Sequence, residues 1–347
     1  MSLAVLQTIW FLLVAVLILG YAILAGFDLG VGNLHLLSNQ KEREQNFYNI
    51  APFWDSNQVW LLTGGGALFA AFPHVYATAF SGFYPALMLL LLAMIVRAAA
   101  IEFQHLLPEP EWKAKWDWGF GIGSIVASTL FGVAMGNVLR GLPLDSTHNF
   151  TGSFFGLLNP YSLVVGLLAL TMFTLHGASF LVARSQGDLI NKAKRWGSTT
   201  WKFFAVLFTT VTIWSYLAVP RLFENFFELP ILWVLPFLVI AAIAYYPKAL
   251  ENENRWMPLL VSTINIAGLI GIVGASLFPN MIPAVPNPAN SLTIYNASST
   301  KLTLTTMLII ALLGVPLVIA YTTYVYRKLM KDYSQTGKLH KKANMGF

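Results

Sequence analysis

The sequence contains no cysteine. That absence excludes disulfide bonds, thiolate ligation of a haem iron, iron–sulfur clusters and zinc sites built on cysteine. Charged residues are scarce as well: they make up 10% of the 347 residues, whereas soluble domains carry roughly 25%. We find no P-loop, nucleotide fingerprint, nucleophile–base pair or metal-ligand cluster in the sequence, and no motif for binding nucleic acid. With 56% apolar residues, the chain is typical of a protein solvated by lipid.

Nine apolar segments are long enough to cross a bilayer, because a helix needs about 20 residues to span the hydrocarbon core. They cover residues 5–28, 54–72, 77–97, 117–138, 160–183, 200–219, 229–247, 257–278 and 303–326. The first segment has no basic stretch before it and no cleavage site after it, so we expect it to be retained as a helix. The pattern predicts an all-α polytopic membrane protein with nine transmembrane helices.

The positions of lysine and arginine predict the orientation. If the N-terminus lies outside, 18 of the 21 basic residues fall on the cytoplasmic side. Only Arg140, Arg221 and Lys301 then lie outside. Because cytoplasmic loops carry the excess of positive charge, we expect an outer N-terminus and a cytoplasmic C-terminus. The net charge of +6 is therefore a sign of topology, and the basic tail would lie near anionic lipid headgroups.

The loops between the segments are short, and we predict a single integral membrane domain over residues 1–347. Within it we expect a first four-helix bundle at 1–138, a second at 160–278, one peripheral ninth helix at 303–326 and a basic cytoplasmic tail at 327–347. No large soluble domain fits between the predicted helices.

Four charged residues far apart in sequence are predicted to lie in one layer near the cytoplasmic face. Asp28 ends the first helix, Asp55 begins the second, Arg97 ends the third and Asp117 begins the fourth. Ionisable groups inside a membrane protein usually mark a functional site, so the layer could admit protons from the cytoplasm. Alternatively, Arg97 simply neutralises one of the acids and holds the helices together.

The segment that begins at Trp54 carries further polar and aromatic side chains. Asn57 joins the predicted acid layer, and Gln58 is suited to hydrogen bonds between helices. Trp54 fits an interfacial anchor, whereas Trp60 lies about two turns deeper. We therefore predict a role in packing or in a subunit interface for Trp54, Gln58 and Trp60.

Histidine is a common haem ligand, and His176 lies inside the predicted fifth span. Two axial ligands should come from facing helices, and no second histidine lies at the middle of a span. We expect His176 to be a hydrogen-bonded side chain, and we expect this chain alone to bind no haem or metal. The sequence offers no catalytic residue of its own.

The sequence resembles subunit II of the cytochrome bd-type quinol oxidases. The Trp-Asp-Ser-Asn-Gln-Val-Trp segment at residues 54–60 is the most specific part of the resemblance, which covers most of the chain. That segment belongs to a longer match that runs from Ala51 to Tyr84. The other matching stretches are Gly26–Gly32, Trp116–Gly119, Gly136–Gly141, Leu157–Pro160 and Phe278–Pro279. Some members carry an acid just before the Gly-Phe-Asp motif, where this chain has Ala25.

The resemblance implies nine transmembrane helices arranged as two four-helix bundles and a peripheral helix. It implies a partner, subunit I, that holds two b-type haems, one d-type haem and the quinol site, in a bacterial cytoplasmic membrane. The complex would be an electrogenic quinol:oxygen oxidoreductase of the respiratory chain. Subunit II would stabilise subunit I and line a route for protons or oxygen, and a small single-helix subunit is a candidate further partner. The residues that carry over are Asp28, Trp54, Asp55, Asn57 and Trp60.

A second hypothesis is a self-sufficient transporter or channel. Transporters of this size often have broken helices at matching places in two halves of the chain, and the sequence shows no such pair. The two hypotheses differ in whether a haem-bearing partner is needed. The first predicts that the chain alone is colourless, and that the complex shows haem bands.

Overall fold

The structure, a computed structural model, describes residues 1–343; the side chains of Thr322 and of residues 325–343 are outside the description. Thirteen α-helices occur in this part of the chain. They are α1 Leu3–His35, α2 Gln40–Ile50, α3 Trp54–Ala71, α4 Pro73–Gly82, α5 Tyr84–Phe103, α6 Pro110–Arg140, α7 Phe154–Leu157, α8 Pro160–Arg184, α9 Asp188–Ala218, α10 Glu224–Glu228, α11 Val234–Glu251, α12 Met257–Leu277 and α13 Lys301–Ala343.

Eight helices within residues 1–343 are long and apolar enough to cross a membrane, and nine spans result if α3 and α4 count as one bent segment. The prediction of an all-helical membrane protein is confirmed. The predicted spans at 160–183 and 257–278 agree with α8 and α12 within a residue. The orientation of the N-terminus stays a prediction.

The predicted third span, residues 77–97, was wrong in its first part. The structure divides this stretch between α4 and α5, which begins only at Tyr84. Pro73 and Pro85 each lie in the first turn of their helices, where a missing N–H costs no hydrogen bond. Proline disfavours the α conformation of the residue before it. The apolar stretch after α3 therefore forms two helices, α4 and α5, each with a proline in its first turn. The axes of α3 and α4 meet at 119°.

Residues 29–53, predicted to be a loop between the first two spans, contain the end of α1 and the helix α2. Asn39 caps this helix: its side chain accepts a hydrogen bond from the Glu42 N–H at 3.0 Å, and Glu42 accepts one from the Asn39 N–H at 2.8 Å. This reciprocal pair is the capping box. The polar composition of α2 hid it from a search for apolar segments.

Short strands connect the loops that follow α6 and α12. Strand β1 (Leu142–Pro143) pairs in parallel with β3 (Ala284–Val285), and β2 (Asn280–Ile282) pairs antiparallel with β4 (Leu292–Thr293). Three 3₁₀ turns, Pro220–Phe223, Pro230–Trp233 and Pro288–Asn290, complete the connections. These loops are ordered by backbone pairing between distant parts of the chain.

Residues 7–298 form one compact unit that includes helices from both predicted bundles. The division into bundles at 1–138 and 160–278 stays a prediction. Residues 1–6 and the chain from Ser299 onward form a second unit, in which α13 begins two residues before the predicted 303–326 span and continues through the predicted tail to Ala343. The tail's last residues, 344–347, lie outside the described residues.

Two glycines bring α1 and α8 into backbone contact. A Cβ atom at Gly30 would overlap the backbone of Phe173 and Gly177, and one at Gly177 would overlap the backbone of Gly30 and Val31. Small residues permit this close packing between membrane helices. The crossing fixes α1, which carries Asp28, against α8, which carries His176.

Candidate functional site

Asp28 lies fully buried on α1, at 0% exposure, and is bound by a residue of α3. Asn57 Nδ2 donates to Asp28 Oδ2 at 2.9 Å and to the Leu24 carbonyl at 2.8 Å. Asn57 is itself 1% exposed. The carboxamide therefore ties α3 to α1 and supplies one of the donors that a buried carboxylate needs.

Arg97, on α5, is also buried, and its side chain reaches α6. Its Nε donates to Ser124 Oγ at 3.1 Å, and the guanidinium carbon lies 5.5 Å from the centre of the Phe120 ring. Ser124 in turn packs on α1 one turn beyond Asp28. No direct ion pair joins Arg97 to Asp28 within the described part of the chain. The structure thus brings Asp28, Asn57 and Arg97 into one buried region.

Asp117 belongs to a different cluster, formed by residues that sequence reasoning did not select. His35 Nε2 lies 2.9 Å from Asp117 Oδ1, and Arg43 Nη1 donates to Oδ2 at 3.0 Å. The Asp117 side chain is 3% exposed. Since each oxygen has a partner on a neighbouring element, this acid joins α6 to the end of α1 and to α2.

Asp55 is exposed in this chain, in the first turn of α3. It contacts neither Asp28 nor Arg97 by any hydrogen bond or ion pair found among the described residues. The predicted layer therefore separates into a buried group around Asp28, a paired Asp117 and an exposed Asp55.

The other candidates on α3 are half-buried: Trp54, Gln58 and Trp60. Trp60 packs on α1, because a Cβ atom at Gly20 would overlap its ring. The Gln58 amide nitrogen is buried without a hydrogen-bond partner in the described part of the chain. Trp60 thus contributes to packing, and Gln58 has an unused donor.

His176 lies 1% exposed between three helices. Its Nε2 is 3.0 Å from the Ile23 carbonyl and its Nδ1 is 2.8 Å from Ser262 Oγ. A carbonyl only accepts, so Nε2 carries a proton. Both ring nitrogens therefore have hydrogen-bond partners within the chain. No group of three or more metal-ligating side chains occurs among the described residues.

A second set of polar contacts holds α2 against α9 and against the end of α8. These contacts lie on the side of the molecule that contains Asp117. Lys192 Nζ lies 2.7 Å from Glu42 Oε1, and Asn49 Nδ2 donates to Ser185 Oγ at 3.1 Å. Burial acts to raise the pKa of Glu42, but hydrogen bonds from Lys192 and from the Asn39 backbone outweigh it and hold that pKa below its ordinary value. Sequence reasoning missed these residues, although the Asn39–Glu42 spacing is a recognisable capping signal.

Residues 6–329 match the family model described as cytochrome bd terminal oxidase subunit II. The chain belongs to this family. It is 36% identical to the cytochrome bd-I ubiquinol oxidase subunit 2 of Escherichia coli K12, over 94% of each chain. It is 35% identical to the cytochrome bd ubiquinol oxidase subunit 2 of Bacillus subtilis, over 94% of this chain and 97% of that one.

The fold agrees with a solved structure of bd oxidase from Geobacillus thermodenitrificans. The TM-score is 0.75 at 17% sequence identity, over 94% of this chain and 98% of the matched chain. The resemblance stated from the motifs is thus confirmed. The protein is a multi-pass membrane subunit of a quinol:oxygen oxidoreductase, and it belongs to a respiratory chain.

Proposed function

We propose that this chain is the non-haem subunit of the oxidase, that it stabilises the haem-bearing subunit I, and that it lines a proton path from the cytoplasm. The observation that carries the proposal is the half-satisfied carboxylate of Asp28. It is fully buried among apolar helices, yet only one of its oxygens has a hydrogen-bond partner in the described part of the chain. Buried ionisable groups in membrane proteins are costly and mark ion or proton routes.

The haems, two of b-type and one of d-type, belong to subunit I in this proposal. His176 is the histidine predicted to lie at the middle of a span, and both of its ring nitrogens are already hydrogen-bonded. The role of this chain toward the haems would be to hold subunit I and to bring protons to it. Quinol is the electron donor of the complex.

The exposed face of α3 fits the contact with subunit I. A Cβ atom at Gly65 or Gly66 would meet open space, so a second helix can approach closely there. Val59 and Leu62 are exposed beside these glycines, at 53% and 77%. Asp55 and Gln58 lie at the cytoplasmic start of the same helix, where a partner could supply donors and acceptors.

Asp55 would form the entrance of the path and Asp28 its first buried station. Asp55 is exposed in the first turn of α3. Asn57 lies two residues further along α3 and bonds to Asp28. The competing interpretation is charge balance, in which the Arg97 charge only compensates Asp28. The two interpretations predict different effects on turnover.

The test is to replace each acid by its amide in the assembled oxidase. We expect Asp28→Asn to lower turnover by about a hundredfold or more, the scale of a lost acid–base group, with assembly and haem content intact. Asp55→Asn should lower it by less, because water or a partner residue can substitute at an exposed site. Turnover by oxygen consumption and haem content by visible spectra are the readouts.

Asp188→Asn is the matched control for Asp55, since Asp188 is an exposed acid in the first turn of α9. It should leave turnover unchanged. Normal turnover in both Asp28→Asn and Asp55→Asn would assign these acids to charge balance. A chain that transports a substrate without any haem-bearing partner would contradict the proposal as a whole.

A further inference from the structure

Among the buried polar atoms that lack a hydrogen-bond partner in the described part of the chain are three on α1 and α5. They are the hydroxyl of Tyr21, Oδ1 of Asp28 and Nη2 of Arg97. The three side chains are 5%, 0% and 1% exposed. Buried polar groups are nearly always paired with protein or with ordered water, so three unpaired atoms call for a shared explanation.

Two contacts relate the three side chains. Arg97 donates to Ser124 of α6 at 3.1 Å, and Ser124 packs on α1 one turn beyond Asp28. On α1, Tyr21, Ala25 and Asp28 follow the i, i+4, i+7 spacing of one helix face. Ala25, between the other two, is fully buried.

The chemistry of these atoms defines what they can bind. The carboxylate oxygen only accepts, the guanidinium nitrogen only donates, and the phenol does either. A cation would be repelled by Arg97 and an anion by Asp28. A small neutral molecule that both donates and accepts satisfies all three, and buried water typically makes about three hydrogen bonds to such groups.

We propose that Tyr21, Asp28 and Arg97 bind a shared group of internal water molecules. Tyr21 is then a positioning residue that holds water beside Asp28. Tyr21 lies seven residues before Asp28 on α1, so the proposed water site extends about 10 Å along the helix axis from Asp28. The water site stands on the buried atoms alone, whereas its part in proton transfer rests on the proposed function.

The first test is a cryo-EM map of the whole oxidase at a resolution that shows ordered water, for the wild type and for Tyr21→Phe. We expect density within about 3 Å of each of the three atoms, and loss of the water nearest residue 21 in the variant. Direct contact between Arg97 and Asp28, a side chain of a partner subunit, or one elongated ligand at the Tyr21 hydroxyl would overturn the proposal.

The second test measures turnover of Tyr21→Phe against Tyr246→Phe. Tyr246 is also fully buried, and its hydroxyl is 2.7 Å from Ser179 Oγ, outside the acid layer. Tyr21→Phe should lower kcat by about two- to tenfold, the scale of one lost hydrogen bond, with an unchanged KM for quinol and unchanged haem content. Tyr246→Phe should not change kcat.

The two measurements separate the site from its role. Water density with unchanged turnover in both Tyr21→Phe and Asp28→Asn keeps the water site and rejects the proton path. Missing density with lowered turnover in Asp28→Asn rejects the water site and keeps the path.

Discussion

Asp117 on α6 and Asp28 on α1 are both buried carboxylates, and they differ in their hydrogen-bond partners. Asp117 has a partner at each oxygen, His35 and Arg43. Asp28 has Asn57 at one oxygen and no partner at the other within the described residues. A fully paired acid fastens helices together, whereas a half-paired acid keeps capacity for a further donor. Burial alone therefore does not distinguish the two acids; their hydrogen-bond partners do.

The largest expected effect comes from breaking the paired cluster. Asp117→Ala should destabilise the protein by about 3–5 kcal/mol, because it removes the acid and leaves His35 and Arg43 without their partner. Thermal unfolding and the yield of the purified complex measure this. Glu44→Ala is the control, since the Glu44–Lys113 pair lies at the surface and should contribute about 0–1 kcal/mol. Equal losses of stability in the two variants would show that Asp117 does not hold the helices together.

A smaller effect compares two buried asparagines. Asn57→Ala removes hydrogen bonds to Asp28 and Leu24, and Asn49→Ala removes one to Ser185. Each should cost about 1–3 kcal/mol of stability, read from thermal unfolding. Only Asn57→Ala should also lower turnover, because only Asn57 touches the half-paired acid. If turnover falls equally in both, the loss reflects general destabilisation and the contrast between the two acids is not functional.

The smallest effect concerns the pH dependence of the Glu42–Lys192 pair. The pKa of Glu42 is lower in the folded protein than its ordinary value. The pair therefore contributes stability above the ordinary carboxylate range, and the contribution is lost as pH falls through the folded pKa. The difference in unfolding temperature between wild type and Glu42→Gln should be constant near neutral pH, begin to shrink as the pH falls to the ordinary carboxylate pKa of about 4.3, and vanish below the lower folded pKa. A difference that persists in acid would show that the charge of Glu42 plays no part.

Much of the fold follows from local sequence. Apolar length predicted α8 and α12 within a residue, because Pro160 and Pro258 stand in the first turn of each helix and a helix without internal breaks continues to its end. The acid layer was predicted from topology, and the structure divides it: Asp28, Asn57 and Arg97 lie in one buried region. Asp117 lies in another cluster, and Asp55 is exposed.

The rest depends on contacts that local patterns do not contain. Leu142 pairs with Ala284, and the Asp117 partners lie on α1 and α2. A polar helix such as α2 escapes a search for apolar runs. Which face of α3 turns toward α1 also decides that Asn57 is buried while Asp55 is exposed, and an apolar helix with glycines on several sides gives no signal of its rotation.

The sharp turn between α3 and α4 has a consequence for the lipid. Ending at Ala71, α3 has 18 residues, about 27 Å of helix at 1.5 Å per residue, against a hydrocarbon core of about 30 Å. A span this short thins the bilayer around it or draws flanking side chains toward the headgroups. The thickness of the surrounding bilayer is therefore expected to set how far Asp55 lies from the lipid headgroups.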